Sequence, residues 1–112
     1  MKVESKKNDQ GIVIIHVSGR IDPSTSIQFD EEMNKILSSG SNKLVLNLSE
    51  VDFISSTGLR VFLTGLKRAK AEKGDLKVCC MSANVEKLFK LAGFVSLFDI
   101  LPTEEEAVKK FS

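Results

Sequence analysis

The sequence holds one histidine and two cysteines, and its sixteen basic and fifteen acidic side chains leave a net charge of only +1. Each scarcity removes a class of function. A near-neutral balance gives little drive toward a polyanion or an anionic membrane, so neither nucleic acid nor membrane is expected as a partner. No run approaches the ~18 apolar residues of a membrane span, and residues 1–8 are polar, unlike a secretory leader. A cytoplasmic protein is expected. Cys79 and Cys80 adjoin in an apolar run where successive side chains point to opposite faces. That argues against a shared metal or disulfide and for two small buried hydrophobes. His16 alternates with Ile12 and Ile14, as a structural or surface residue on a strand does. With the only histidine so assigned, no nucleophile, base and acid set can be assembled, and neither G-x-x-x-x-G-K-[ST] nor G-x-G-x-x-G occurs. No catalytic residue, metal or cofactor is expected, and the chain reads as no enzyme.

What is present suits a folded domain. A chain of 112 residues, 42% apolar and 28% charged, is long enough for one core, and it shows no repeat, linker or low-complexity tract, so residues 1–112 read as a single domain. The β-branched run from Gly11 to Gly19 predicts a strand, paired with Lys2 to Lys7 across an Asn8-Asp9-Gln10-Gly11 turn. Pro23 opens a helix whose apolar positions are Phe29, Met33, Ile36 and Leu37, stopped by Ser38-Ser39-Gly40. Residues 43–48 predict a central strand covered on both sides, with Asn47 as its polar intruder. Leu59, Phe62, Leu63 and Leu66 trace a second helix ending at Lys73-Gly74, and residues 76–81 another strand. Val85, Leu88, Phe89 and Ala92 mark a third helix, residues 97–101 a last strand, and Thr103 with Glu106 a capping box for a final helix docked by Ala107, Val108 and Phe111. This alternation implies an α/β fold: a single-layer, mixed, mostly parallel sheet with an N-terminal antiparallel hairpin and about four helices.

Between the central strand and the second helix lie Ser55, Ser56 and Thr57. A helix start has unpaired N–H groups and the positive end of the dipole, so one hydroxyl there serves as a cap, and a phosphate is stabilised at the same place. A phosphoryl group on Ser56 would add about −1.5 to −2 charge and three acceptor oxygens without requiring the fold to reorganise. Gly58 costs ~1 kcal/mol in a helix relative to alanine, to be offset by close approach of a partner or by tight packing on the sheet. Asp22 before Pro23 is either a plain helix-start signal or a carboxylate acting beside Ser56. The basic run Lys67 to Lys73 reads as a solvated helix end, whereas Arg60 flanks Ser56 and is the better interface candidate.

Gly19-Arg20-Ile21-Asp22, Leu46-Asn47-Leu48-Ser49 and Val51-Asp52-Phe53-Ile54-Ser55-Ser56-Thr57-Gly58-Leu59 together resemble the STAS family, the domain shared by sulfate transporters and anti-sigma factor antagonists. The resemblance spans essentially the whole chain, and a stand-alone domain resembles the antagonist branch. It implies a partner-switching cycle. The unmodified protein binds an anti-sigma factor that is also a serine kinase, phosphorylation ends the binding, and a phosphatase resets it. It further implies that Ser56 is the phosphoacceptor and that Asp22 matches the family's acidic residue after the early strand. Asp22, Asn47, Ser55, Ser56, Thr57, Gly58 and Arg60 form the expected partner surface, and a weak homodimer is allowed for. Ser55 and Asn47 depart from the family, where many regulated members carry Asp, and both departures are read as removing negative charge near Ser56. Two other readings are kept: an unphosphorylated scaffold subunit of a transport or stress-sensing complex, and a nucleotide- or anion-binding sensor.

Overall fold

The computed structural model describes residues 1–111. Five strands form one sheet in the order β1 to β5: β1 Lys2–Lys7, β2 Val13–Ser18, β3 Lys43–Glu50, β4 Asp75–Cys79 and β5 Ile100–Leu101. β1 runs antiparallel to β2, and β2, β3, β4 and β5 are mutually parallel. The hairpin closes because Asn8 Oδ1 accepts the Gln10 and Ile12 N–H groups, each at 2.9 Å, and Gly11 takes the positive φ of +80° that the turn needs.

Helices α1 (Thr25–Ser38), α2 (Ser56–Ala71) and α3 (Ala83–Leu91) cover one face and α4 (Glu104–Lys109) the other. The division follows the period-2 pattern of the strands. Val13, Ile15 and Val17 of β2 with Leu44, Leu46 and Leu48 of β3 meet the three long helices, while Ile14 and Val45 meet α4. A file of phenylalanines ties the helices together, with ring centroids 5.1 Å apart for Phe29 and Phe62 and 5.6 Å for Phe62 and Phe89. Phe29, Phe62 and Phe89 are fully buried, each contributing on the order of 2–3 kcal/mol of transfer free energy.

Two expectations need correction. The last strand is confined to Ile100–Leu101, because Gly93 ends α3 at φ +74° and Phe94–Ser96 form a single 3-10 turn. Phe98 then packs on Phe89, at a centroid distance of 5.7 Å, instead of entering a strand. Cys79 is buried, and burial pushes its thiol pKa upward, but Cys80 lies past the end of β4 at φ +62° and is only half-buried. Both thiols are free.

The α4 face carries a buried ion cluster. Lys77 Nζ lies 2.8 Å from both Asp75 Oδ2 and Asp99 Oδ2, and 4.5 Å from the Phe111 ring centroid. Burial works against the ammonium, but the hydrogen bonds and charges of the two aspartates outweigh it and hold the Lys77 pKa above its ordinary value. Hydrogen bonding to Lys77 in turn lowers the Asp99 pKa. A lowered carboxylate pKa stabilises at neutral pH and loses that contribution as pH falls through the folded-state value. Because Asp99 is partly exposed, Asp99→Asn is expected to cost under about 1 kcal/mol at pH 7, with a gap that shrinks as pH falls below the ordinary carboxylate range, in urea unfolding.

Candidate functional site

Past β2 and β3 the two chains stay joined. Gly19 N–H donates to Glu50 O at 3.0 Å, Ile21 N–H to Phe53 O at 3.0 Å, and Ser55 N–H to Ile21 O at 2.7 Å. Ile21 and Ile54 form an isolated parallel bridge, which sets the turn at Asp22 beside the hydroxyl segment at the carboxyl end of the sheet. Asn84 Nδ2 donates to Asp52 O at 2.6 Å, and the Arg20 guanidinium lies 4.5 Å over the Phe53 ring, so the approach to α2 is held from two sides.

The three hydroxyls have different duties. Ser55 is the N-cap of α2, with extended backbone, and its Oγ accepts the Gly58 N–H at 3.2 Å. Thr57 Oγ1 lies 2.8 Å from Ser55 Oγ and 3.2 Å from Ser26 Oγ, and Ser26 Oγ donates to Asp22 O at 2.7 Å. One proton per hydroxyl then fixes the direction of the chain: Ser55 to Thr57, Thr57 to Ser26, Ser26 to the Asp22 carbonyl. Ser56 is the first residue of the helix, is exposed, and makes no side-chain hydrogen bond among the described residues. It is the hydroxyl whose esterification breaks no internal bond.

Gly58 is settled by packing. It is buried, and a Cβ there would lie 2.5 Å from Ile21 Cγ2 and 2.9 Å from Ile54 Cγ2. The first turn of α2 sits on the Ile21–Ile54 bridge, so the chain's own packing accounts for the missing side chain at Gly58.

Asp22 behaves chiefly as a cap. Its Oδ1 accepts the Thr25 N–H at 2.9 Å, the Ser24 N–H at 3.0 Å and the Ser24 hydroxyl at 2.7 Å, and these bonds, led by the Thr25 amide, lower its pKa from 3.8 to about 2. The carboxylate makes no bond to Ser56; the link from this turn to α2 runs through the Asp22 carbonyl. The stabilisation is fully present above the unfolded-state pKa and lost as pH falls toward about 2. Asp22→Asn is therefore expected to lower stability at neutral pH and to match the parent near pH ~2, a convergence read from urea midpoints across pH.

Asn47 is not beside Ser56. It is buried on the α4 face, where Nδ2 donates to Glu104 Oε1 at 2.9 Å and Oδ1 accepts the Ser49 N–H at 3.0 Å. The expectation that it removes negative charge near Ser56 is overturned, because alternation along β3 points it away from Leu46 and Leu48. Glu104 Oε1 also lies 2.8 Å from His16 Nε2, which commits the single histidine to that far face and leaves no imidazole base by Ser56. Ser26 carries no signal of this role in the sequence. The run Asp22-Pro23-Ser24-Thr25-Ser26 signals an aspartate turn opening a helix, but nothing local reports that Ser26 meets Thr57, thirty-one residues away.

Arg60 is exposed one helical turn beyond Ser56, bordering an open groove of about 400 Å³ between α1 and α2 with Pro23, Ile27, Asp30 and Thr57. Ile27 is 65% exposed there. Among the described residues no helix is long and apolar enough to cross a membrane, and no cluster of His, Cys, Asp or Glu is arranged to hold a metal ion.

A family model described as the STAS domain matches residues 4–107. BtrV of Bordetella bronchiseptica is 32% identical over 111 residues, covering 99% of this chain and 95% of BtrV. The anti-sigma-B factor antagonist of Bacillus subtilis is 28% identical over 109 residues, covering 97% of this chain and 98% of its own. The unphosphorylated form of the anti-sigma factor antagonist SpoIIAA superposes with a TM-score of 0.83 at 21% identity, covering 97% of this chain and 95% of that one. The phosphorylated form of SpoIIAA, a Bacillus cell fate determinant, gives 0.76 at 20% identity, covering 99% and 100%. The likeness to SpoIIAA establishes the shared fold.

Proposed function

The chain belongs to the STAS domain family, and we propose that it is an anti-sigma factor antagonist, a cytoplasmic binding protein switched off by phosphorylation at Ser56. The observation that carries this reading is the division of labour among the three hydroxyls. Ser55 caps α2 and Thr57 joins α2 to α1, so a phosphate on either would cost an internal bond, whereas Ser56 is free. The names of the relatives support an anti-sigma factor as the partner.

In the unmodified state the partner lies over Ser56, the exposed side of Thr57, Arg60 and the α1–α2 groove, where Ile27 offers an apolar contact. The partner, acting as a serine kinase, transfers the γ-phosphoryl group of ATP to Ser56 Oγ. The P–O bond to ADP breaks, a P–O bond to the serine forms and the hydroxyl proton leaves. The product carries about two negative charges where the partner had been packed. A phosphatase then hydrolyses the ester and restores the serine.

Calorimetric titration of the cognate anti-sigma factor into the unmodified chain tests the reading. Saturable binding is expected, unchanged by Ser56→Ala, with no saturable heat from nucleotide alone. Saturable nucleotide binding without protein binding would favour a sensor and defeat the antagonist assignment.

A further inference from the structure

Among the described residues Arg60 makes no hydrogen bond and no cation–π contact. It is exposed and forms no ion pair within 4.0 Å among the described residues, although Asp30 borders the same groove. The nearby Arg20, by contrast, is already engaged over the Phe53 ring. On a helix, residues four apart are surface neighbours, and long side chains lean back toward the N-terminus over the preceding turn. Arg60 follows Ser56 by four positions on α2, so its guanidinium lies within reach of anything attached to the Ser56 oxygen.

We infer that Arg60 captures the phosphoryl group of phosphoserine 56 in cis, withdrawing a cation that the unmodified chain offers to an acidic group of its partner. A planar guanidinium presents paired N–H donors that match two phosphate oxygens, a fit that an ammonium does not reproduce. The modification then alters the docking surface twice: it introduces a dianion, and it removes the arginine from the interface. The i, i+4 spacing on α2 and the absence of an ion pair to Arg60 supply the geometry, and Ser55, as the cap of α2, fixes the helix start at Ser56. This inference rests on the proposed role of Ser56 and specifies its regulation.

The test uses full-length protein with phosphoserine installed at position 56 during synthesis, so that no kinase is involved. The phosphorus-31 resonance is followed against pH for the parent, Arg60→Lys, Arg60→Ala and Arg20→Ala proteins. A cation touching the phosphate favours its dianion and lowers the second ionisation. The parent is expected to titrate about half a unit below Arg60→Ala. Arg60→Lys should fall between them and Arg20→Ala should match the parent. The gap should shrink at about 1 M salt, where screening acts over about 3 Å. Equal titration of the parent and Arg60→Ala, or a rise confined to Arg20→Ala, overturns the capture. Because the phosphate is supplied synthetically, a kinase that ignores Ser56 would defeat the proposed function while leaving this result readable by itself.

Discussion

Phosphoserine at position 56 is expected to weaken the complex with the cognate anti-sigma factor by about 3 kcal/mol, roughly 150-fold in Kd at 25 °C. The magnitude follows from what the partner must cover. Ser56 and Thr57 are exposed beside a groove floored by α1 and α2, so a close-packed partner desolvates the position. A neutral hydroxyl is buried at little cost. A phosphoryl dianion is not: one guanidinium beside it still leaves net negative charge, and an uncompensated buried charge costs several kcal/mol. Calorimetry on the unmodified and phosphorylated proteins measures the ratio directly. Ser56→Asp should show only part of the loss, since a carboxylate carries less charge and fewer acceptors. Because the Ser56 side chain supports no internal bond, phosphorylation should not lower the unfolding midpoint.

Gly58→Ala is expected to act in the opposite way, damaging the fold before any partner is present. Alanine would gain up to about 1 kcal/mol in helix propensity. The new methyl, however, would meet Ile21 and Ile54 at 2.5 and 2.9 Å, and both are almost fully buried, so neither can step aside freely. Overpacking of this kind costs roughly 1–3 kcal/mol, and contacts this short place Gly58→Ala toward the upper end. A net loss of about 2 kcal/mol should follow, lowering the thermal midpoint by about 10 °C for a domain of this size. Amide shifts should extend from Ser55 to Leu59 and across to Ile21. A stability equal to or above the parent would show that the first turn of α2 is not seated on the bridge as described.

The contrast between Ser56 and Gly58 also marks how far the sequence could be read. The hairpin, the helix faces and the alternation of strands with helices were legible because glycines punctuate them and apolar positions repeat at the spacing each element requires. The place of Ser56 at the start of α2 followed from the same logic, since an apolar strand, a hydroxyl cluster and a periodic helix come in succession. Asn47 was harder. The run 44–48 is apolar on both faces, so alternation separates Asn47 from Leu46 without telling which helix covers it. Only the tertiary packing of α4, with Glu104 as acceptor, answers that. Gly58 was ambiguous because a missing side chain looks the same whether a partner or the chain's own isoleucines occupy the space. Ser26 is silent in the sequence because its contact with Thr57 is between side chains distant along the chain. Residues 97 and 98 read as strand because strands and buried loop segments share an apolar composition, and the phenylalanine cluster took Phe98 instead.

The most direct test incubates the chain with the cognate anti-sigma factor, its proposed kinase, and ATP and maps the product by peptide fragmentation. One phosphoryl group on Ser56 is predicted, with none taken up by the Ser56→Ala protein. Phosphate on Ser55 or Thr57, or at a distant residue while Ser56 stays unmodified, would contradict the account at its centre.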